Sequence, residues 1–268
     1  MEARQKPGAL FFLVWLVGVF LFLFGPLAVV ILMSFNASPY GTLPFVPTMQ
    51  WYGKLFSEDA LFRATLLSMD LSGAVTFTAA LFGSLLAVWL NRMPVRWTAP
   101  VNAALISAVT IPWLILGVAM LLVLESIGLG RSFLSMYLGS LAVTLPYVVF
   151  VVVARLQGVD PAISEAARSL GANPANVFVR ITVPIVSPAI AAGSLMAFII
   201  CFNNFTIQYF LAPFGVRTLP LEIYTLVRVG YRPDINALGT ILVGVSVLLV
   251  VALQRLSGSA SSLVSRQR

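Results

Sequence analysis

Long unbroken apolar runs alternate with short polar connections along this chain, a rhythm set by lipid rather than by a water-facing core. A helix needs about 20 mostly apolar residues to cross the hydrocarbon layer. Six segments qualify: Leu10–Met33, Ala64–Leu90, Pro100–Leu124, Phe133–Ala154, Pro188–Leu211 and Ala237–Leu256. The first lies within a stretch free of formal charge from Leu10 to Gly53, and the second contains one acid, Asp70. The pattern predicts an all-α membrane protein with six transmembrane helices in a single domain over residues 1–268. Arg4 and Lys6 precede the first run as they would in a secretion signal. That run far exceeds the roughly 7–15 apolar residues of a signal core, so it reads as an uncleaved first helix.

Composition sharpens this picture by exclusion. Of 268 residues, 60% are hydrophobic and 9% charged, against roughly 45–50% and 25% in a soluble domain. There is no histidine and one cysteine, Cys201. No Ser-His or Cys-His nucleophile, no His/Cys zinc site and no disulfide within the chain is therefore available. The net charge of +7 comes from 16 Lys and Arg against 9 Asp and Glu. Basic residues flanking spans set membrane orientation, and that use takes precedence over nucleic-acid binding. With both termini in the cytoplasm, ten basic residues fall inside and six outside, which favours that orientation.

Two spans carry small residues at every fourth position, Ala79, Gly83 and Ala87 in the second and Ala189, Gly193 and Ala197 in the fifth. Such rows permit close helix approach in lipid. They serve either packing inside the chain or a subunit interface.

The longest inward connection, about 155–187, is composed differently from the rest. Asp160-Pro161 reads as an N-cap with proline at the first helical position, followed by a short helix to Leu170 and a stop at Gly171. Asn173-Pro174 repeats the start, and the spacing predicts a second helix to about Val183, broken from the fifth span by Pro184 and Pro188. Ala175, Phe178 and Ile181 share one face of it and would offer an apolar stripe to the cytoplasm.

Glu165-Ala166-Ala167, three residues, Gly171, nine residues, Ile181, one residue and Val183-Pro184 resembles the coupling loop of ABC importer permeases. Val183 stands where the family pattern has leucine. The resemblance extends over nearly the whole chain, including Ser34-Phe35-Asn36 after the first span and the run Leu219–Tyr224 before the last. It is similar to the permeases of spermidine/putrescine-type, type I importers. The resemblance implies a bacterial inner-membrane permease, not an enzyme, that moves a small solute from a periplasmic binding protein into the cytoplasm. Its implied partners are that binding protein, a second homologous permease and two ATP-binding cassette subunits. Glu165, Ala166, Ala167, Arg168, Gly171 and Pro184 would then couple to the ATPase. This chain cannot supply the ATP site. Its only lysines are Lys6 and Lys54, and neither stands in the Gly-Lys-Ser/Thr context of a phosphate-binding loop. ATP and Mg therefore belong to the partner, and this chain carries no cofactor.

Polar groups inside a membrane are candidates for a solute route. Asp70 lies about six residues into the second span, roughly 9 Å at 1.5 Å per residue. Asn203, Asn204, Thr206 and Gln208 form a polar island in the fifth. Solute pathway and interhelical hydrogen bonding are both open for the asparagines, and Arg63 is a candidate partner for Asp70. Polyamine permeases of this type carry two aspartates where this chain has Asn203 and Asn204, and an acid where Trp113 follows Pro112. A polyamine, an amino-acid-like, an opine-like or an organophosphorus solute is compatible. Arg217, Glu222, Arg228 and Arg232 in the outer connection would face the binding protein. The rival class is an ion-gradient-driven carrier, which would need no ATPase.

Overall fold

The computed structural model describes residues 7–38, 41–57, 59–229, 233–244 and 247–248. These fall into two compact units, Met1–Leu61 with Ile223–Arg268, and Phe62–Glu222. Among the described residues the regular structure is helical.

In the first unit, α1 (Pro7–Ser34) exposes apolar side chains along its length, from Phe11 and Trp15 to Leu32. Such a helix is stable only against lipid or another protein surface. Its exit is built by side chains. Ser34 donates to the Ile31 carbonyl at 2.6 Å and meets the Tyr52 hydroxyl at 2.8 Å. The buried Asn36 accepts from the Val46 amide at 3.2 Å, and its own carbonyl receives the Trp51 indole at 2.6 Å. These bonds turn the chain back into α2 (Gln50–Ser57), so Ser34-Phe35-Asn36 works as a turn. Residues 233–244 are helical, and a Cβ added at Gly239 would stand 3.3 Å from Val30 of α1. The remainder of the sixth predicted span, to Leu256, lies largely outside the described residues, as do Arg4, Lys6 and Arg255.

The second unit contains α3 (Asp59–Arg92, which starts three residues earlier), α4 (Val95–Thr110), α5 (Trp113–Ser126), α6 (Phe133–Gln157), α7 (Pro161–Ser169) and α8 (Pro174–Val177). A π-helical turn (Phe178–Thr182) then leads into α9 (Val183–Phe202), α10 (Phe205–Leu211) and the start of α11 (Leu219–Val229). Among the described residues of both units, four helical segments are long and apolar enough to cross a membrane: Phe11–Ser34, Asp59–Arg92, Phe133–Gln157 and Pro174–Phe202.

Two predicted spans differ from the uninterrupted helices expected. The third is broken into α4 and α5, which bend by 115°. Pro112 has no N–H and pushes Ile111 into an extended conformation (φ −66°, ψ 131°). At 16 and 14 residues, each half measures roughly 21–24 Å, short of the ~30 Å hydrocarbon layer. The fifth ends at Phe202 rather than Leu211, because Asn203 and Asn204 interrupt it.

At the other end of this span, neither Pro184 nor Pro188 breaks the helix. The π turn lets the Val183 amide reach back five residues to the Phe178 carbonyl, which absorbs the irregularity before Pro184. Pro188 leaves the Pro184 carbonyl without its helical donor, and the Ser187 hydroxyl supplies one at 2.9 Å.

The core of this unit is centred on α6, with α3 and α9 packed against it. Ala79, Ala87, Ala189 and Ala197 are all buried with Val148, Val149 and Val152. A Cβ on Gly83 would lie 3.1 Å from the Val148 Cβ, and one on Gly193 would lie 3.0 Å from the Val148 Cα. Both small-residue rows therefore serve packing inside the chain, on opposite flanks of one valine.

Alanine is the better helix former, yet Gly193→Ala is expected to lower stability by about 1–3 kcal/mol, because its methyl meets backbone rather than a movable side chain. Unfolding of the detergent-solubilised protein in a denaturant series measures this.

Candidate functional site

The 155–187 connection owes its shape to two caps and a glycine. Asp160 Oδ1 accepts the Ala162 amide at 2.9 Å, and Pro161 fills the first turn of α7. Gly171, at φ +87°, stops the helix in a conformation that side chains resist. Asn173 Oδ1 then accepts the Asn176 amide at 2.8 Å to start α8. Both cap-and-proline starts thus stand as the sequence indicates. The apolar stripe does not. The extra residue in the π turn rotates the helix face, so Phe178 packs on the core, Val177 is fully buried and Ile181 lines a cleft. Of the stripe only Ala175 stays exposed, and the large apolar side chains left outward are Ile163, Val179 and Leu170, the last 89% exposed.

Glu165 and Arg168 lie on that cleft, between α7 and the ends of α3, α6 and α9. Ala166 is exposed, Ala167 half-buried and Pro184 exposed. Glu165 and Arg168 make no ion pair with each other; among the described residues the pair that forms is Arg217–Glu222.

The break in the fifth span brings the polar island together in a structural role. Asn203 is exposed and donates to the Ile199 carbonyl at 2.9 Å, closing α9. Asn204 is buried and caps α10 by accepting the Ile207 amide at 2.9 Å. Gln208 is fully buried with both ends of its amide engaged. Its Nε2 donates to the Cys201 carbonyl at 2.8 Å, and its Oε1 accepts the Thr218 hydroxyl. The Leu219 amide donates to Ser68 on α3 at 2.7 Å. The short helix α10 seats on α5 and α6 through glycines: a Cβ at Gly117 would meet Phe210, and one at Gly139 would meet Leu211. Among the described residues the buried Asn204 side-chain amino group has no hydrogen-bond partner, while the buried Ser72 and Ser140 hydroxyls face the Cys201 thiol.

Sequence reasoning missed Arg131. Its guanidinium donates to the Ala212 and Tyr209 carbonyls, both at 3.0 Å, and lies 4.6 Å over the Phe214 ring. It closes the C-terminal end of α10 from a connection 78 residues away. The available signal was a lone cation directly after Gly128 and Gly130, in the short connection between α5 and α6.

Trp113 is half-buried at the start of α5 and packs on the core. Asp70 is exposed on α3 and forms no ion pair with Arg63. Seven residues separate them, about 10 Å along the axis, whereas helix ion pairs form at three or four. In the connection after α10, Arg217 and Glu222 pair at 3.1 Å, with the Glu222 carboxylate nearly buried. Arg228 is exposed, 5.9 Å over the Tyr224 ring. Arg232 lies outside the described residues.

A family model described as "Binding-protein-dependent transport system inner membrane component" matches residues 79–260. The chain is 32% identical to the spermidine/putrescine transport system permease protein PotC of Escherichia coli (strain K12) over 240 residues, covering 90% of this chain and 91% of PotC. It is 34% identical to the putrescine transport system permease protein PotI of the same strain over 232 residues, covering 84% and 83%. Among solved structures, a chain of a bacterial ABC transporter involved in import of the acidic polysaccharide alginate superposes with a TM-score of 0.71 at 20% identity, covering 91% of this chain and 92% of that one.

Gln208→Leu strands the Cys201 carbonyl and the Thr218 hydroxyl and is expected to cost about 1–3 kcal/mol. Asn203→Ala removes one exposed bond and is expected to cost under ~1 kcal/mol. Parallel unfolding curves in detergent distinguish them.

Proposed function

The chain belongs to the binding-protein-dependent transport system inner membrane components, and from that premise we propose that it moves a small organic solute by alternating access. It is a multi-pass permease subunit of an ABC importer of the polyamine type, and it is not an enzyme. The proposed assembly adds two ATP-binding cassette subunits, a second homologous permease and a periplasmic binding protein. ATP and Mg act on the cassette subunits. Residues 1–268 act as one permease domain, with both termini in the cytoplasm.

The observation that carries this reading is α7 itself, a capped nine-residue helix ended by Gly171, inside the family match. Ala166 presents a small side chain that permits close approach by another protein, and Leu170 adds an exposed apolar contact. Gly171 sets the turn, and Pro184 lies where the loop continues into α9. Because no break separates α8 from α9, displacement of α7 would be carried by continuous helix to the Asn203–Asn204 interruption.

For the solute route, Asp70 is the central residue. α3 has 34 residues, roughly 51 Å, so with the helix centred in a ~30 Å layer Asp70 lies about 6 Å inside it. An exposed carboxylate without an ion pair among the described residues is costly there, and a cationic group on the solute would offset that cost. Asn203 and Trp113 add a neutral amide and an aromatic edge, while Asn204 and Gln208 hold the break that positions Asn203. One carboxylate favours an amine-bearing solute, with polyamines and amino-acid-like or opine-like compounds ahead of organophosphorus ones. Arg217, Arg228 and Arg232 would meet the binding protein, with Glu222 orienting Arg217.

Glu165→Lys is expected to abolish uptake while the chain still accumulates in the membrane; full uptake in proteoliposomes refutes the coupling role. Calorimetric screening of the cognate binding protein against polyamines, amino acids and phosphonates identifies the solute. With that solute, Asp70→Asn should lower uptake about tenfold, the effect of losing one charged contact of roughly 1.4 kcal/mol.

A further inference from the structure

The cleft beneath α7 has a volume of about 280 Å³, and its lining combines an apolar floor including Val88 and Leu156 with Arg92, Asp160, Glu165 and Arg168. These charges approach one space from two elements. Arg92 is the last residue of α3, whereas the two acids belong to α7 and its cap. Asp160 is partly committed, since one carboxylate oxygen caps α7. Among the described residues neither Glu165 nor Arg92 has an ion pair, and Arg168, one turn along the same helix, does not neutralise Glu165. Any narrowing of the cleft brings these charges onto an apolar floor and strips water from them. Unpaired charges resist that strongly, whereas an opposite-charge pair with good geometry tolerates it.

We propose that Arg92 is a positioning residue for coupling: its guanidinium pairs with the Glu165 carboxylate across this cleft in one state of the transport cycle and ties α7 directly to α3. The inference rests on the reading of α7 as the ATPase-coupling helix. It adds a route that the backbone does not supply. Through the chain, α7 connects onward by Gly171 to α8 and α9. Through Arg92 it connects to α3, the helix that carries Asp70 22 residues earlier (92 − 70), about 33 Å along its axis. Motion of one short helix would then reach both sides of the proposed solute route.

The test uses the complete transporter in proteoliposomes, with ATP hydrolysis as the readout because it requires no knowledge of the solute. Arg92→Glu and Glu165→Arg should each lower hydrolysis about fivefold, the effect of a charge-pair interaction of roughly 1 kcal/mol. Combining them should restore hydrolysis to within about twofold, and Arg92→Lys should retain it. A double variant no better than the weaker single variant overturns the proposal. If Arg92→Glu fails to assemble, Arg92→Cys with Glu165→Cys is examined in a Cys201→Ser background, where no other thiol of this chain competes, and the crosslink is read as a disulfide within this chain. A disulfide in either the nucleotide-free or the vanadate-trapped state supports the pairing, and none in both overturns it. Wild-type hydrolysis in Glu165→Arg means that the coupling reading fails, and the pairing with it. Loss in Glu165→Arg beside wild-type hydrolysis in Arg92→Glu means that only the pairing fails.

Discussion

The contact on which the second unit depends is made at Val148, where α6 is approached from two sides by helices that carry glycine at the point of contact. Gly83 of α3 and Gly193 of α9 leave about 3 Å between an added methyl and the valine, so neither helix could come as near with any larger residue. Lipid offers no hydrophobic drive for helix association, and close packing takes its place. Once α3, α6 and α9 are fixed in this way, their ends are fixed too. One set of ends frames the cleft beneath α7, and α9 runs the other way to the Asn203–Asn204 break.

A second constraint governs every irregularity in these helices. Backbone polar groups within a membrane must find partners inside the protein. The interruptions obey this through particular side chains: Ser187 supplies the donor that Pro188 removes, and Asn204 and Arg131 close the two ends of α10. Gln208 joins the end of α9 to the chain beyond α10. The polar island in the fifth span is thus largely consumed in building the break. Asn203 is the member left exposed beside it. A helix that ends and restarts presents a polar side chain without leaving free backbone around it.

Much of the 155–187 loop was legible because caps are local. Asp160-Pro161, Gly171 and Asn173-Pro174 act on amides two or three residues away, so their chemistry can be read from neighbours in the chain. Pro112 and Pro184 show where such reading stops. Both are prolines in apolar surroundings, yet one bends the chain by 115° and the other sits in continuous helix. The difference is the π turn before Pro184, which has no counterpart before Pro112. Arg131 was hidden for a different reason, since its acceptors lie 78 and 81 residues away.

Sequence alone determined the solvent, the helical class, the candidate spans, the capped loop and the lack of a phosphate-binding loop in this chain. These follow from composition and from interactions within about one helical turn. Only the tertiary structure decided that the small-residue rows face α6, that Gln208 is a strut, that Asp70 and Arg63 remain apart and that Glu165 shares a cleft with Arg92. Each of these depends on which helix faces are brought together, and that choice rests on contacts between residues tens of positions apart.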